Sequence, residues 1–166
     1  MIGGGSGGLN LAIGAAGLKA KVALIENSML GGRELLGGNV PLRVLTNSAK
    51  AMHDMKFASR QGLRDVRPEE LKVHFEEIMQ RARDVRAKIA RLKSAHLCSE
   101  FYGIDLFFGE PLFVKDNGED AIFIAGTTLK FSKAVVAVGC HTELPKDLGR
   151  LEAPYYVPET LLNMEQ

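Results

Sequence analysis

Six consecutive positions, Gly3-Gly4-Gly5-Ser6-Gly7-Gly8, are the residues best suited to chemistry in this chain. Gly3, Gly5 and Gly8 fall in a G-x-G-x-x-G pattern. Glycines at that spacing allow a tight turn and let backbone approach a pyrophosphate closely. Ser6 and Gly7 fill the intervening positions, where a helix would begin. The N–H groups of a helix's first turn have no internal acceptor and carry partial positive charge, so they attract phosphate. Glu26 follows Gly8 at the end of a short apolar run. A carboxylate there can accept hydrogen bonds from a ribose diol. A glycine pattern alone is a weak signal; combined with a helix, an apolar strand and a terminal acid, it predicts a dinucleotide site.

Other reactive side chains form no such pattern. Cys98 and Cys140 are far apart and lie in no C-x-x-C spacing, which predicts two free thiols. His53, His74, His96 and His141 share no metal-ligand spacing with a cysteine or acid. His141 follows Gly139-Cys140 at a strand end and reads as a loop residue. Glu69-Glu70 and Glu76-Glu77 are adjacent pairs on helix surface and make no acid–base dyad. No metal or catalytic side chain is expected.

The elements that must position the glycine turn can be read from hydrophobic period. Leu9, Leu11, Ala12, Ala15, Ala16 and Leu18 predict a helix ending near Gly17. Lys21–Glu26 predicts a buried parallel strand. Only Met1 and Ile2 stand before the turn, so the first strand is expected to be short. Residues 30–40, with Gly31, Gly32, Gly37 and Gly38, predict a loop. Pro41 predicts a helix start, with the helix running to about Ser59. Pro68-Glu69-Glu70 predicts the start of a long amphipathic helix reaching about Leu97. Ile104–Phe108 predicts a strand. Pro111–Val114, Ala121–Ala125 and Leu129–Phe131 predict an antiparallel meander, turned at Asp116-Asn117-Gly118. Ala134–Val138 predicts a last buried strand. The class is α/β: a Rossmann-like parallel sheet with a small antiparallel meander and long helices.

Totals exclude other classes. With 21 basic and 20 acidic residues, the net charge of +1 offers no footprint for nucleic acid or an anionic membrane. The apolar stretch from Leu9 to Ile25 is interrupted by Lys19, Lys21 and glycines, and no basic segment precedes it. It predicts neither a membrane span nor a secretory signal. A cytoplasmic location is expected.

The segments GGGSGGLNLAIGAAGLKAKVALIENSMLGG, NVPLRVLTNSAK, FFGEPLF, LKFSKAVVAVG and YVPETLLNM together span nearly all of the chain. They resemble the N-terminal part of the pyridine nucleotide–disulfide oxidoreductases, nearest to mercuric-reductase-like and dihydrolipoamide-dehydrogenase-like members. The resemblance implies that residues 1–166 form an FAD-binding domain, without the NAD(P)-binding and dimerisation domains that follow in the family. It implies that Gly3, Gly5, Ser6, Gly7 and Gly8 hold the FAD pyrophosphate and Glu26 the adenosine ribose. Gly31 and Gly32 lie along the cofactor. Gly109, Glu110 and Pro111 match backbone that meets the adenine, and Val138 and Gly139 match a Thr-Gly pair. A nicotinamide-binding domain would come from a separate chain or from a further C-terminal part.

Departures from the family pattern bear on chemistry. The family's redox motif is G-G-x-C-x-x-x-x-C-x-P-x-K. Here Gly31–Arg43 places Glu34 and Asn39 where the cysteines belong. A thiolate can attack, be attacked and exchange; a carboxylate or an amide cannot. Disulfide reduction is therefore not expected. Arg43 replaces a lysine near the reactive flavin edge; it retains charge with a different head group, or is an ordinary helix-surface arginine. Pro111 has no N–H to donate to adenine, a loss of about 1 kcal/mol. Val138 lacks the threonine hydroxyl. Two expectations remain: a flavin-only oxidoreductase module, or a non-enzymatic truncated remnant that binds FAD weakly or not at all.

Overall fold

A computed structural model describes residues 1–148 and 155–164. The chain divides into two compact units. The first contains Met1–Glu34 and Ile89–His141; the second contains Leu35–Lys88 and the described residues from Thr142 onward.

The first unit is layered about a parallel sheet. Strand β1, Ala23–Glu26, pairs in parallel with β2, Asp105–Phe108, matching Ala23 to Asp105 and Glu26 to Phe108. On the other side of β1, Ile2 bridges both Ile25 and Val136 in parallel. Helix α1, Ser6–Gly17, crosses one face. Leu9 and Ala12 on α1 pack with Val22, Leu24, Cys98 and Ile104. The meander covers the opposite face. Its strands are β3 (Leu112–Asp116), β4 (Glu119–Ile124) and β5 (Thr127–Lys130). Ile122 and Ile124 of β4 pack on Ile2 and Ile25. Successive strand residues point to opposite faces, so Leu24 and Ile25 serve different layers and both are buried. That explains why the strand reads as a continuous apolar run rather than an alternating one.

The meander turns where expected. Asp116 pairs with Glu119, leaving Asn117 and Gly118 as a two-residue loop with φ of 52° and 86°. Positive φ at both positions is the hairpin geometry that Asn-Gly favours.

The expected last strand does not form. Ala134–Val138 makes one bridge, at Val136, and Val136 and Val138 are 61% and 68% exposed. Among the described residues its neighbour in the sheet is Ile2 with its flanking backbone: Ile2 donates to Val135 O at 2.9 Å and Ala137 donates to Ile2 O at 2.7 Å.

The second unit is mainly helical. Helix α3, Asn39–Lys56, starts two residues before Pro41 and ends before Ser59; a 3-10 turn, Ala58–Gln61, follows and stops at Gly62, φ 82°. The expected loop over 30–40 instead contains a short helix α2, Gly32–Leu36, whose buried Leu35 anchors it. The long helix from Pro68 to Leu97 is broken at both ends. Pro68–Glu70 makes one 3-10 turn, and Leu71 is extended at ψ 129°. Helix α4, Phe75–Arg91, then begins with Glu76 and Glu77 in its first turn, a second set of acids suited to a helix N-terminus. After α4, back in the first unit, Ser94 Oγ accepts the Leu97 N–H at 3.3 Å and starts a separate helical segment, ending in a π-helical turn over Leu97–Phe101. Val44, Met79, Ala82 and Leu162 form the second unit's core.

Candidate functional site

The glycine turn is fixed from several sides within the first unit. Gly3 donates to Ile25 O at 2.8 Å, and Gly31 donates to Gly4 O at 2.9 Å. Gly3 has φ 102°, and a Cβ there would strike the Ala137 carbonyl. A Cβ on Gly8 would strike the Gly3 carbonyl, so the helix start can fold back on the turn only because Gly8 lacks a side chain. Gly5 is the N-cap of α1 and provides no side-chain cap. A Cβ on Gly7 would meet nothing, and Gly7 is exposed, so the helix start is open on that side.

Glu26 ends β1 beside this turn. Its Oε2 accepts the Gly4 N–H at 2.7 Å, and its Oε1 accepts the Ser28 N–H at 2.9 Å. The carboxylate thus braces the turn as well as facing the site, a role the sequence did not disclose. Each oxygen keeps a second acceptor direction, which is what a ribose diol requires. Donor-rich turn and remaining acceptor capacity together fit a dinucleotide.

The other expected site residues fall into two groups. Gly109, φ 137°, donates to the Glu26 backbone carbonyl at 2.9 Å, so it shares the carboxyl edge of the parallel strands. Glu110 and Pro111 follow it directly and lead into β3. Val138 lies against Gly3, its Cα 3.1 Å from where a Gly3 Cβ would be; Gly139 follows with φ 73°. Gly31 bridges Gly5, and a Cβ on Gly32 would stand 2.7 Å from Gly5 Cα. The first unit therefore gathers every expected residue except Arg43. Arg43 is exposed on α3 of the second unit.

Glu34, on α2, accepts a hydrogen bond from the Ser6 hydroxyl. Asn39 is the first residue of α3. Cys98 and Cys140 are both free thiols, Cys98 buried and Cys140 exposed with Arg33 Nη1 3.5 Å from its sulfur. Burial pushes the Cys98 thiol pKa up. Among the described residues no group of three His, Cys, Asp or Glu could hold a metal ion, and no helix is long and apolar enough to cross a membrane.

The second unit has an apolar groove of about 830 Å³, lined by Met52 and Met55 of α3, Leu71 and Val73 of the connection, and Phe75 and Ile78 of α4. Sequence reading missed it. The break after Glu70 frees Leu71 and Val73 to line the groove instead of continuing a helix face.

The parallel strands, the glycine turn at their carboxyl edge and the crossing helix define an α/β domain of the Rossmann-like class. The family model for pyridine nucleotide-disulphide oxidoreductases matches residues 1–162, and the chain belongs to that family. It is 39% identical over 90 residues to dihydrolipoyl dehydrogenase of Zymomonas mobilis, covering 54% of this chain and 19% of that one. It is 26% identical over 166 residues to mercuric reductase of Bacillus cereus, covering 100% of this chain and 25% of the relative. The solved structure of RclA from Escherichia coli, an HOCl-induced flavoprotein disulfide reductase, superposes with a TM-score of 0.70 at 22% identity, over 99% of this chain and 33% of that one. The matched stretches thus cover between 19% and 33% of the length of these three proteins.

Proposed function

We propose that this chain is the FAD-binding domain of an oxidoreductase, with flavin-only chemistry. The observation that carries this reading is the pairing of the Gly3–Gly8 turn with Glu26 at one strand edge, joined by the 2.7 Å bond from Gly4 to the Glu26 carboxylate. Backbone N–H groups of Ser6, Gly7 and Gly8 would bind the pyrophosphate, aided by the helix dipole. Glu26 would accept from the adenosine ribose. Gly31 and Gly32 would lie along the cofactor, and Gly109, Glu110 and Pro111 would border the adenine, with no N–H from Pro111. Val138 and Gly139 would border the turn's other side. Arg43 is assigned to the flavin edge by resemblance alone.

FAD, when bound, supplies hydride acceptance from a reduced nicotinamide and reoxidation by an acceptor such as dioxygen or a quinone. The nicotinamide would be brought by a domain outside residues 1–166. Glu34 and Asn39 supply no thiol at the family's cysteine positions, so electrons have no dithiol to pass through. Cytoplasmic location belongs to the same reading.

Titration with FAD, followed by flavin fluorescence and melting temperature together, tests it. Saturable binding in the micromolar range or tighter is expected, with a melting temperature that rises with FAD concentration, since a ligand at about 100 times its Kd adds roughly 2.7 kcal/mol. A folded chain with neither binding nor thermal shift would overturn it in favour of a non-binding remnant.

A further inference from the structure

Glu34 takes up an unusual place for an acid. It stands on α2 at one of the family's cysteine positions, and its carboxylate is hydrogen-bonded by the Ser6 hydroxyl. Ser6 is the first residue of α1. Helix α1 has no acid of its own in its first turn and no side-chain cap at Gly5. Glu34 therefore supplies from another element the negative charge that a helix N-terminus favours.

The placement is built into the backbone. The Gly31 N–H donates to Gly4 O at 2.9 Å, Gly31 bridges Gly5, and Gly32 lies so close to Gly5 that a Cβ on Gly32 would stand 2.7 Å from Gly5 Cα. The left-handed φ of Gly31, 108°, and Gly32, 60°, turns the chain directly into α2. Glu34 follows Gly32 by two residues on α2 and so comes next to the turn.

We propose that Glu34 is a built-in anion that competes with a ligand's phosphates for the N-terminus of α1, and so sets the affinity and charge preference of the site. This rests on reading the glycine turn as the pyrophosphate seat. A phosphate and the Glu34 carboxylate want the same helix end for the same electrostatic reason, and like charges at contact distance repel. A dinucleotide must displace the carboxylate from Ser6 or bind beside it. Uncharged ligands do not meet this opposition. Because Glu34 is exposed, salt screens the effect and keeps it moderate.

The test compares the wild-type chain with Glu34→Gln, which keeps shape and hydrogen bonding but removes the charge, and with Glu34→Ala as a second variant. The probes are FAD, inorganic pyrophosphate and uncharged adenosine, at low and high salt. Both variants should bind FAD and pyrophosphate roughly tenfold tighter at low salt, with the gain shrinking at high salt and adenosine unchanged. The ligand-free Glu34→Gln chain should melt roughly 1–3 °C lower, having lost its anion at the helix end. If FAD binds all three proteins equally, the inference is overturned and the FAD reading stands. If pyrophosphate binds the variants more tightly but FAD binds none, the inference stands and the FAD reading falls. If neither phosphate ligand binds any of the proteins, both fall.

Discussion

Glu26 shows how one side chain can serve a fold and a site. Its two oxygens tie Gly4 and Ser28 to the end of β1, while their remaining acceptor directions suit a ribose. The glycines divide similarly. Gly8 is required by the fold, because its missing Cβ admits the Gly3 carbonyl. Gly8→Ala should cost about 1–3 kcal/mol through overpacking against rigid backbone, more than the ~1 kcal/mol that alanine gains over glycine in a helix. Urea unfolding measures the difference. The thiols differ by burial. Cys140 should be alkylated quickly by iodoacetamide and Cys98 only on unfolding, which peptide mass analysis would resolve. The unfolded Cys98 thiol has a reference value of 9.0, and burial raises the folded one. The folded state therefore holds its proton to higher pH, and the stabilising difference present below 9.0 is lost as pH rises through the folded value. Wild type should lose stability as pH rises past 9.0 more steeply than Cys98→Ala in urea titrations.

Among the elements, the β-hairpin was the most legible. Asn117-Gly118 between alternating strands admits few other structures, because few residues tolerate positive φ at both positions. Gly118→Ala would meet no steric contact, so its cost is conformational alone: about 1 kcal/mol, or roughly 2–4 °C in a thermal melt. Helix ends were least legible. The apolar period from Leu71 to Leu97 is nearly continuous, but new segments start at Phe75, with Glu76 and Glu77 favouring the helix N-terminus by charge, and at Ser94, whose Oγ accepts the Leu97 N–H. Period reports which face is buried and is insensitive to a break between two segments that share that face. Helix α2 was hidden by its glycines, since Gly31 and Gly32 read as loop until Leu35 is seen buried.

Across the molecule, the proposed chemistry is narrower than the family's name. The chain belongs to a family named for disulfide chemistry, and on the flavin-only reading proposed above Glu34 and Asn39 stand where its cysteines would be. With FAD and NADPH supplied, the chain should reduce neither a disulfide nor Hg(II) faster than free flavin does. A dithiol-dependent rate above that background, measured by NADPH absorbance, would contradict the assignment.

The sequence alone determined the α/β class, the glycine turn and the acid beside it, because each depends on local residue type and spacing. Tertiary structure decided the rest. It reduced Ala134–Val138 to a single bridge, between Val136 and Ile2. It gave Glu26 its bracing role and brought Glu34 to Ser6, 28 residues away in sequence. Such contacts arise when Gly5 and Gly32 approach closely enough to exclude a side chain, and spacing along the chain does not encode that approach.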